Sequence, residues 1–90
     1  MKKIIRSATA GTLESSDALV TVAPHENGVV IEVDSVVQKQ FGEEIFRAVE
    51  ETLRALEVKD VRVSVVDRGA LDCVIRARVE TAVLRGEEDA

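Results

Sequence analysis

The chain has 90 residues and a net charge of −5, and Phe41 and Phe46 are its only aromatic side chains. That length suits a single domain over residues 1–90 with a modest core, its ends at 1–8 and 86–90 expected to fray. An acidic chain without aromatic stacking platforms argues against nucleic acid as a partner. Cys73 is the lone cysteine, which excludes an internal disulfide and fits a reducing compartment. Met1-Lys2-Lys3 and Ala8-Thr9-Ala10 mimic the two ends of a signal peptide, but Arg6, Ser7 and Thr9 break the apolar middle. No stretch approaches the roughly 20 apolar residues of a membrane span. The expectation is a cytoplasmic protein with no membrane contact.

An edge strand is expected to begin near Thr9, extended by Thr12 and Leu13. Glu14-Ser15-Ser16-Asp17 then reads as a tight polar connection, because Ser and Asp side chains bond nearby backbone in turns. Ala18 to Ala23 follows as a strand with Ala18, Val20 and Val22 on one face. Asn27-Gly28 has the positive-φ preference of a hairpin turn, so Val29 to Val33 is expected to return antiparallel beside the preceding strand.

Ser35 and Gln38 fit a capping box at the head of a long helix. Val37, Phe41, Ile45, Val49, Leu53 and Leu56 recur on one helical face, and Glu43, Glu44, Arg47, Glu50, Glu51 and Arg54 fill the other. Gly42 interrupts at a cost of about 1 kcal/mol relative to Ala. The helix is expected to end near Glu57. Asp60 to Asp67 alternates as a half-buried strand with Val61, Val63 and Val65 inside, and Asp67-Arg68-Gly69-Ala70 makes a turn. From Leu71 to Leu84 two periods compete. Leu71, Val74, Ile75, Ala82 and Leu84 fit a helical face on which Arg78 also falls, while Ile75, Ala77, Val79, Thr81 and Val83 alternate like a strand. Length and the Ala and Arg content favour the helix. The fold class is α+β: a small antiparallel or mixed sheet, in the order β-β-β-α-β-α, packed against one long helix and a C-terminal helix.

Side chains suited to independent catalysis are few. His25 is the only histidine and falls in a turn, where solvation explains it better than general-base chemistry. One His and one Cys argue against a zinc site of the usual ligand types. Cys73 lies in an apolar stretch and reads as a small buried hydrophobe. The glycines are too scattered for a phosphate loop. Two serine sites remain for a covalent attachment. Asp34-Ser35-Val36 resembles the helix-start site of ordinary acyl carrier proteins, but those are all-helical bundles, and a helix cap accounts for Ser35. The other is the turn Gly11-Thr12-Leu13-Glu14-Ser15-Ser16-Asp17, which on its own chemistry offers two equivalent hydroxyls, Ser15 and Ser16.

Several ordered blocks together resemble the acyl carrier subunit (gamma chain) of citrate lyase. They are Ala10 to Asp17, Val22-Ala23-Pro24, Lys39-Gln40-Phe41-Gly42 and Asp67 to Arg78. The resemblance implies that Ser15, the first serine after Gly-Thr-Leu-Glu, is the attachment point and Ser16 is not. It implies a covalently attached cofactor, 2′-(5″-phosphoribosyl)-3′-dephospho-coenzyme A, joined through a phosphodiester. It implies as partners a transferase (alpha) subunit that exchanges acetyl for citryl on the carrier thiol, and a lyase (beta) subunit that releases oxaloacetate. A prosthetic-group transferase and an acetylating ligase complete the set, and the carrier is a non-catalytic subunit. Glu14 and Asp17 would then be turn or recognition residues, with partner subunits supplying cations for the phosphodiester. A malonate decarboxylase-type carrier and a cofactor-free α+β interaction module are the alternatives.

Overall fold

A computed structural model of the chain describes residues 3–36 and 38–87, with the backbone alone for residues 38–41. The elements are β1 (Ala8–Gly11), β2 (Ala18–Pro24), β3 (Val29–Ser35), α1 (Gln38–Ala55), β4 (Val61–Asp67) and α2 (Asp72–Gly86). This is an α+β fold in the expected element order. The strands form one mixed sheet in the order β1-β2-β4-β3. β1 pairs antiparallel with β2, β2 antiparallel with β4, and β3 parallel with β4.

Alternation along the strands sets the core. Val20, Val22, Val61, Val63 and Val65 are fully buried and share one core cluster with Ile45, Val49 and Leu53 of α1 and Ile75, Val79 and Val83 of α2. Both helices therefore cover the same sheet face, giving two layers. Complete burial of a side chain of this size contributes about 1.5–3 kcal/mol. The outer face of α1 carries Glu43, Glu44, Arg47, Glu50, Glu51 and Arg54, all exposed, so the helical period of the sequence holds there. Val37 and Phe41, expected on the inner face, lie outside the described side chains. The helix closes through Glu57, which takes φ 60°. The Glu57 N–H donates to the Arg54 carbonyl and the Val58 N–H to the Leu53 carbonyl, the paired bonds of a Schellman motif, with Leu53 and Val58 both buried.

The expected hairpin between Val29–Val33 and the preceding strand does not form. β4 lies between β2 and β3, pairing Val22 with Val63 on one side and Ile31 with Val63 on the other. Gly28 does turn the chain at φ 88°. Its carbonyl, however, accepts the Val61 N–H, and its own N–H donates to the Asp60 carboxylate, so the start of β4 occupies the mouth of the turn. Asn-Gly reports only local reversal. The helical crossover from β3 to β4 brings the strand with three fully buried valines to an inner position, where it pairs on both edges.

Residues 72–86 are helical, as favoured, but with a different inner face. Ile75, Val79, Ala82, Val83 and Gly86 are buried, whereas Leu71 and Leu84 are exposed. Val79 and Val83, which also fit the strand period, fall on the true helical face. Cys73 is exposed rather than buried, because two residues before Ile75 is nearly the opposite side of the helix. Residues 4–6 are joined to residues 86 and 87: Ile4 is buried and bridges Glu87, and the Ile5 and Arg6 N–H groups both donate to the Gly86 carbonyl. Residues 1, 2 and 88–90 of the expected frayed ends lie outside the described residues.

Candidate functional site

The segment Thr12 to Asp17 connects β1 to β2. Its entry requires glycine. Gly11 has φ 98°, and a Cβ there would stand 1.8 Å from the Ala18 carbonyl oxygen. The connection then closes a β-turn in which the Asp17 N–H donates to the Glu14 carbonyl at 3.1 Å, with Ser15 and Ser16 at the two central positions. Ser16 takes φ 66°, the sign that a type II turn demands of its third residue.

Asp17 organises this turn. Its carboxylate accepts the Thr12 hydroxyl at 2.7 Å and the Ala18 N–H at 2.7 Å. From α2, Arg78 donates Nε to one oxygen at 3.0 Å and a terminal nitrogen to the other at 3.1 Å. This fork-to-fork pairing with Arg78, helped by Thr12 and Ala18, lowers the Asp17 pKa from 3.8 to about 2. Thr12 also accepts the Glu14 N–H, so one hydroxyl links both ends of the loop.

The turn is docked by its backbone as well. The Ser16 N–H donates to the Arg68 carbonyl at 2.8 Å, and the Arg68 N–H donates to the Asp17 carbonyl at 2.9 Å. Arg68 belongs to the turn between β4 and α2. That turn is held by Asp67, which is 1% exposed and accepts the Ala70 N–H at 2.9 Å and the Ser35 hydroxyl at 2.7 Å. Ser15 is exposed, and among the described residues its side chain has no hydrogen-bond partner. Ser16 is exposed too, but its backbone makes the docking bond.

Ser35, the competing hydroxyl, is half-buried at the end of β3 and donates to Asp67. Its expected cap partner Gln38 lies outside the described side chains. His25 is half-buried, with Nδ1 3.1 Å from the Gly28 carbonyl oxygen, and serves its own turn. Among the described residues no group of three or more His, Cys, Asp or Glu side chains could hold a metal ion. Among the described residues no helix is long and apolar enough to cross a membrane. Arg78 and Asp67 were not identified as functional residues from the sequence. Arg78 did carry a signal: a guanidinium on a predicted apolar helix face must find a partner.

Two grooves open beside the helices. One of about 590 Å³ lies between β3 and the C-terminal half of α1, lined by Val29, Phe46 and Leu53 among others. One of about 350 Å³ lies between α1 and the 67–72 segment, lined by Ile45, Ala70, Leu71 and Ile75 with Glu44, Asp67, Gly69 and Asp72.

Comparison with known proteins places this scaffold. The family model described as "ACP: Malonate decarboxylase delta subunit" matches residues 5–86. A solved Pseudomonas malonate decarboxylase hetero-tetramer contains a chain that superposes with a TM-score of 0.61 at 17% identity, covering 89% of this chain and 82% of that one, a likeness of fold. The matched family is one of acyl carrier proteins. Citrate lyase acyl carrier proteins from Cronobacter sakazakii and Pectobacterium carotovorum are 55% and 52% identical to this chain over 96% of its length and 89% and 90% of theirs. One from Latilactobacillus sakei is 49% identical over 88% of this chain and 78% of that protein. The chain belongs to the citrate lyase acyl carrier protein family.

Proposed function

We propose that Ser15 carries 2′-(5″-phosphoribosyl)-3′-dephospho-coenzyme A through a phosphodiester. In this reading the chain is the non-catalytic carrier subunit of a citrate lyase that splits citrate into acetate and oxaloacetate. One observation carries it: the Ser15 side chain is exposed, and without a partner among the described residues, at the apex of a turn that is fixed on both flanks. The residues present fit such a group. Ser15 offers an oxygen to a phosphorylating enzyme without breaking a bond that the fold uses. Arg68, whose backbone carbonyl accepts the Ser16 N–H, has an exposed side chain with no anionic partner among the described residues.

When attached, the group supplies a thiol whose acyl thioester activates the carbon beside its carbonyl. The protein's own part is positional. Asp17, Arg78, Thr12 and the Arg68 backbone hold the turn in one geometry, so the arm pivots from a fixed point. A tethered thiol then meets the transferase (alpha) and lyase (beta) active sites at high effective concentration. A prosthetic-group transferase and an acetylating ligase load the arm, and the assembly works in the cytoplasm. The description of the matching family model favours a second reading, a malonate decarboxylase carrier with the same kind of arm and a different acyl group.

Intact mass of the protein from its native host tests this. The expected result is an adduct of the cofactor's mass, abolished by Ser15→Ala and retained in Ser16→Ala and Ser35→Ala. Loss of the adduct in Ser35→Ala with retention in Ser15→Ala would overturn the site. An unmodified protein in an active citrate-splitting complex would overturn the carrier reading. Label from citrate, and not from malonate, appearing on the thiol separates the two acyl chemistries.

A further inference from the structure

The smaller groove shares a structural element with the Ser15 turn, and the larger does not. Ser16 bonds Arg68, and the adjoining residues Asp67, Gly69, Ala70 and Leu71 line the 350 Å³ groove. The larger groove includes Val58 and Lys59, just before β4 begins, and so lies at the opposite end of the sheet from Ser15.

The chemistry of the smaller groove restricts its occupant. Both oxygens of Asp67 are already engaged, by Ala70 and Ser35. Asp72 is ion-paired with Arg76, which also reaches Glu51. What is left to meet a ligand is an apolar wall of Ile45, Ala70, Leu71 and Ile75, with Glu44 exposed beside it. An anionic occupant would be repelled by Glu44, while an uncharged, partly apolar chain would be accepted. Leu71 is 70% exposed, the most exposed of the large hydrophobic side chains described, and it adds its apolar surface to that of Ile45, Ala70 and Ile75 in the groove.

We infer that this groove is the resting site of the neutral, thiol-bearing end of the arm on Ser15, with the exposed guanidinium of Arg68 meeting the phosphodiester between them. The inference rests on the proposed attachment at Ser15. Its consequence is a carrier with two states. In one the thiol end of the arm lies against Ile45, Leu71 and Ile75, where an acyl thioester on it is shielded from solvent nucleophiles; in the other the arm extends into a partner's active site.

The test compares modified and unmodified protein in a Cys73→Ser background, which leaves the arm's thiol as the only one. On modification, the methyl resonances of Ile45 and Ile75 are expected to shift, and the shift is expected to disappear in Leu71→Asp. The arm's thiol should react with a disulfide trapping reagent several-fold more slowly in the parent than in Leu71→Asp. Leu71 is solvent-exposed, so the folded state tolerates the substitution, and unchanged thermal unfolding verifies this. An adduct on Ser15 with unmoved Ile45 and Ile75 methyls and equal trapping rates would overturn the groove and leave the attachment intact. No adduct on Ser15 would overturn the reading on which the groove depends.

Discussion

Ser15 and Ser35 lie at the same end of the sheet and lean on the same turn, yet the fold treats them in opposite ways. Ser35 spends its hydroxyl on the buried Asp67 carboxylate, which in turn receives the Ala70 N–H. Ser15 keeps its hydroxyl exposed, while the residues on either side of it are fixed by Asp17, Arg78 and the Arg68 backbone. One serine is structure; the other is held in place by structure without being part of it. The lesson is that an attachment point is recognised less by its own contacts than by bonds around it that leave it out.

That contrast can be broken at several points. The largest effect is expected from Gly11→Ala. A Cβ at 1.8 Å from the Ala18 carbonyl, on a residue with φ 98°, cannot be relieved by a side-chain shift. Displacing this backbone should cost about 3 kcal/mol or more, seen as a melting temperature lowered by over ~12 °C.

Ser35→Ala should come next. It removes one of two donors from a carboxylate that is 1% exposed, and denaturant unfolding should register a loss of about 1–3 kcal/mol. Ser15→Ala, touching nothing, should stay within about 0.5 kcal/mol. Equal losses at the two serines would erase the distinction.

The Asp17–Arg78 pair gives the subtlest test. Because the folded-state pKa of Asp17 is lowered from 3.8 to about 2, its contribution is present above 3.8 and is lost as pH falls toward 2. Arg78→Ala should move the Asp17 titration back toward 3.8, read by carboxyl NMR shifts, and should speed hydrogen exchange at the Ser16 amide several-fold. The core amides of β4 should be unaffected.

Much of this architecture was legible in the sequence. The inner face of α1 through Ile45, Val49 and Leu53 and the alternation of Val61, Val63 and Val65 came through because each reflects a period sustained over many residues against one buried surface. The placement of β3 was not legible. Asn27-Gly28 predicts a reversal, but nothing local announces that β4 will return through α1 to sit inside it. Along α2 the two periods share Ile75, and only the packed sheet decides that Val79 and Val83 belong to a helix and that Cys73 faces outward. The Ser15 turn was visible as a polar, glycine-led loop. Its rigidity was not, because the arginine that fixes it stands 61 residues away in the chain.

The most direct measurement is peptide-level localisation of the prosthetic group by tandem mass spectrometry of protein taken from its native host. The peptide spanning Gly11 to Asp17 is expected to carry the phosphoribosyl-dephospho-coenzyme A mass with fragment ions that fix it on Ser15. The same mass found on Ser16 or Ser35, or on no residue of an active complex, would contradict the account.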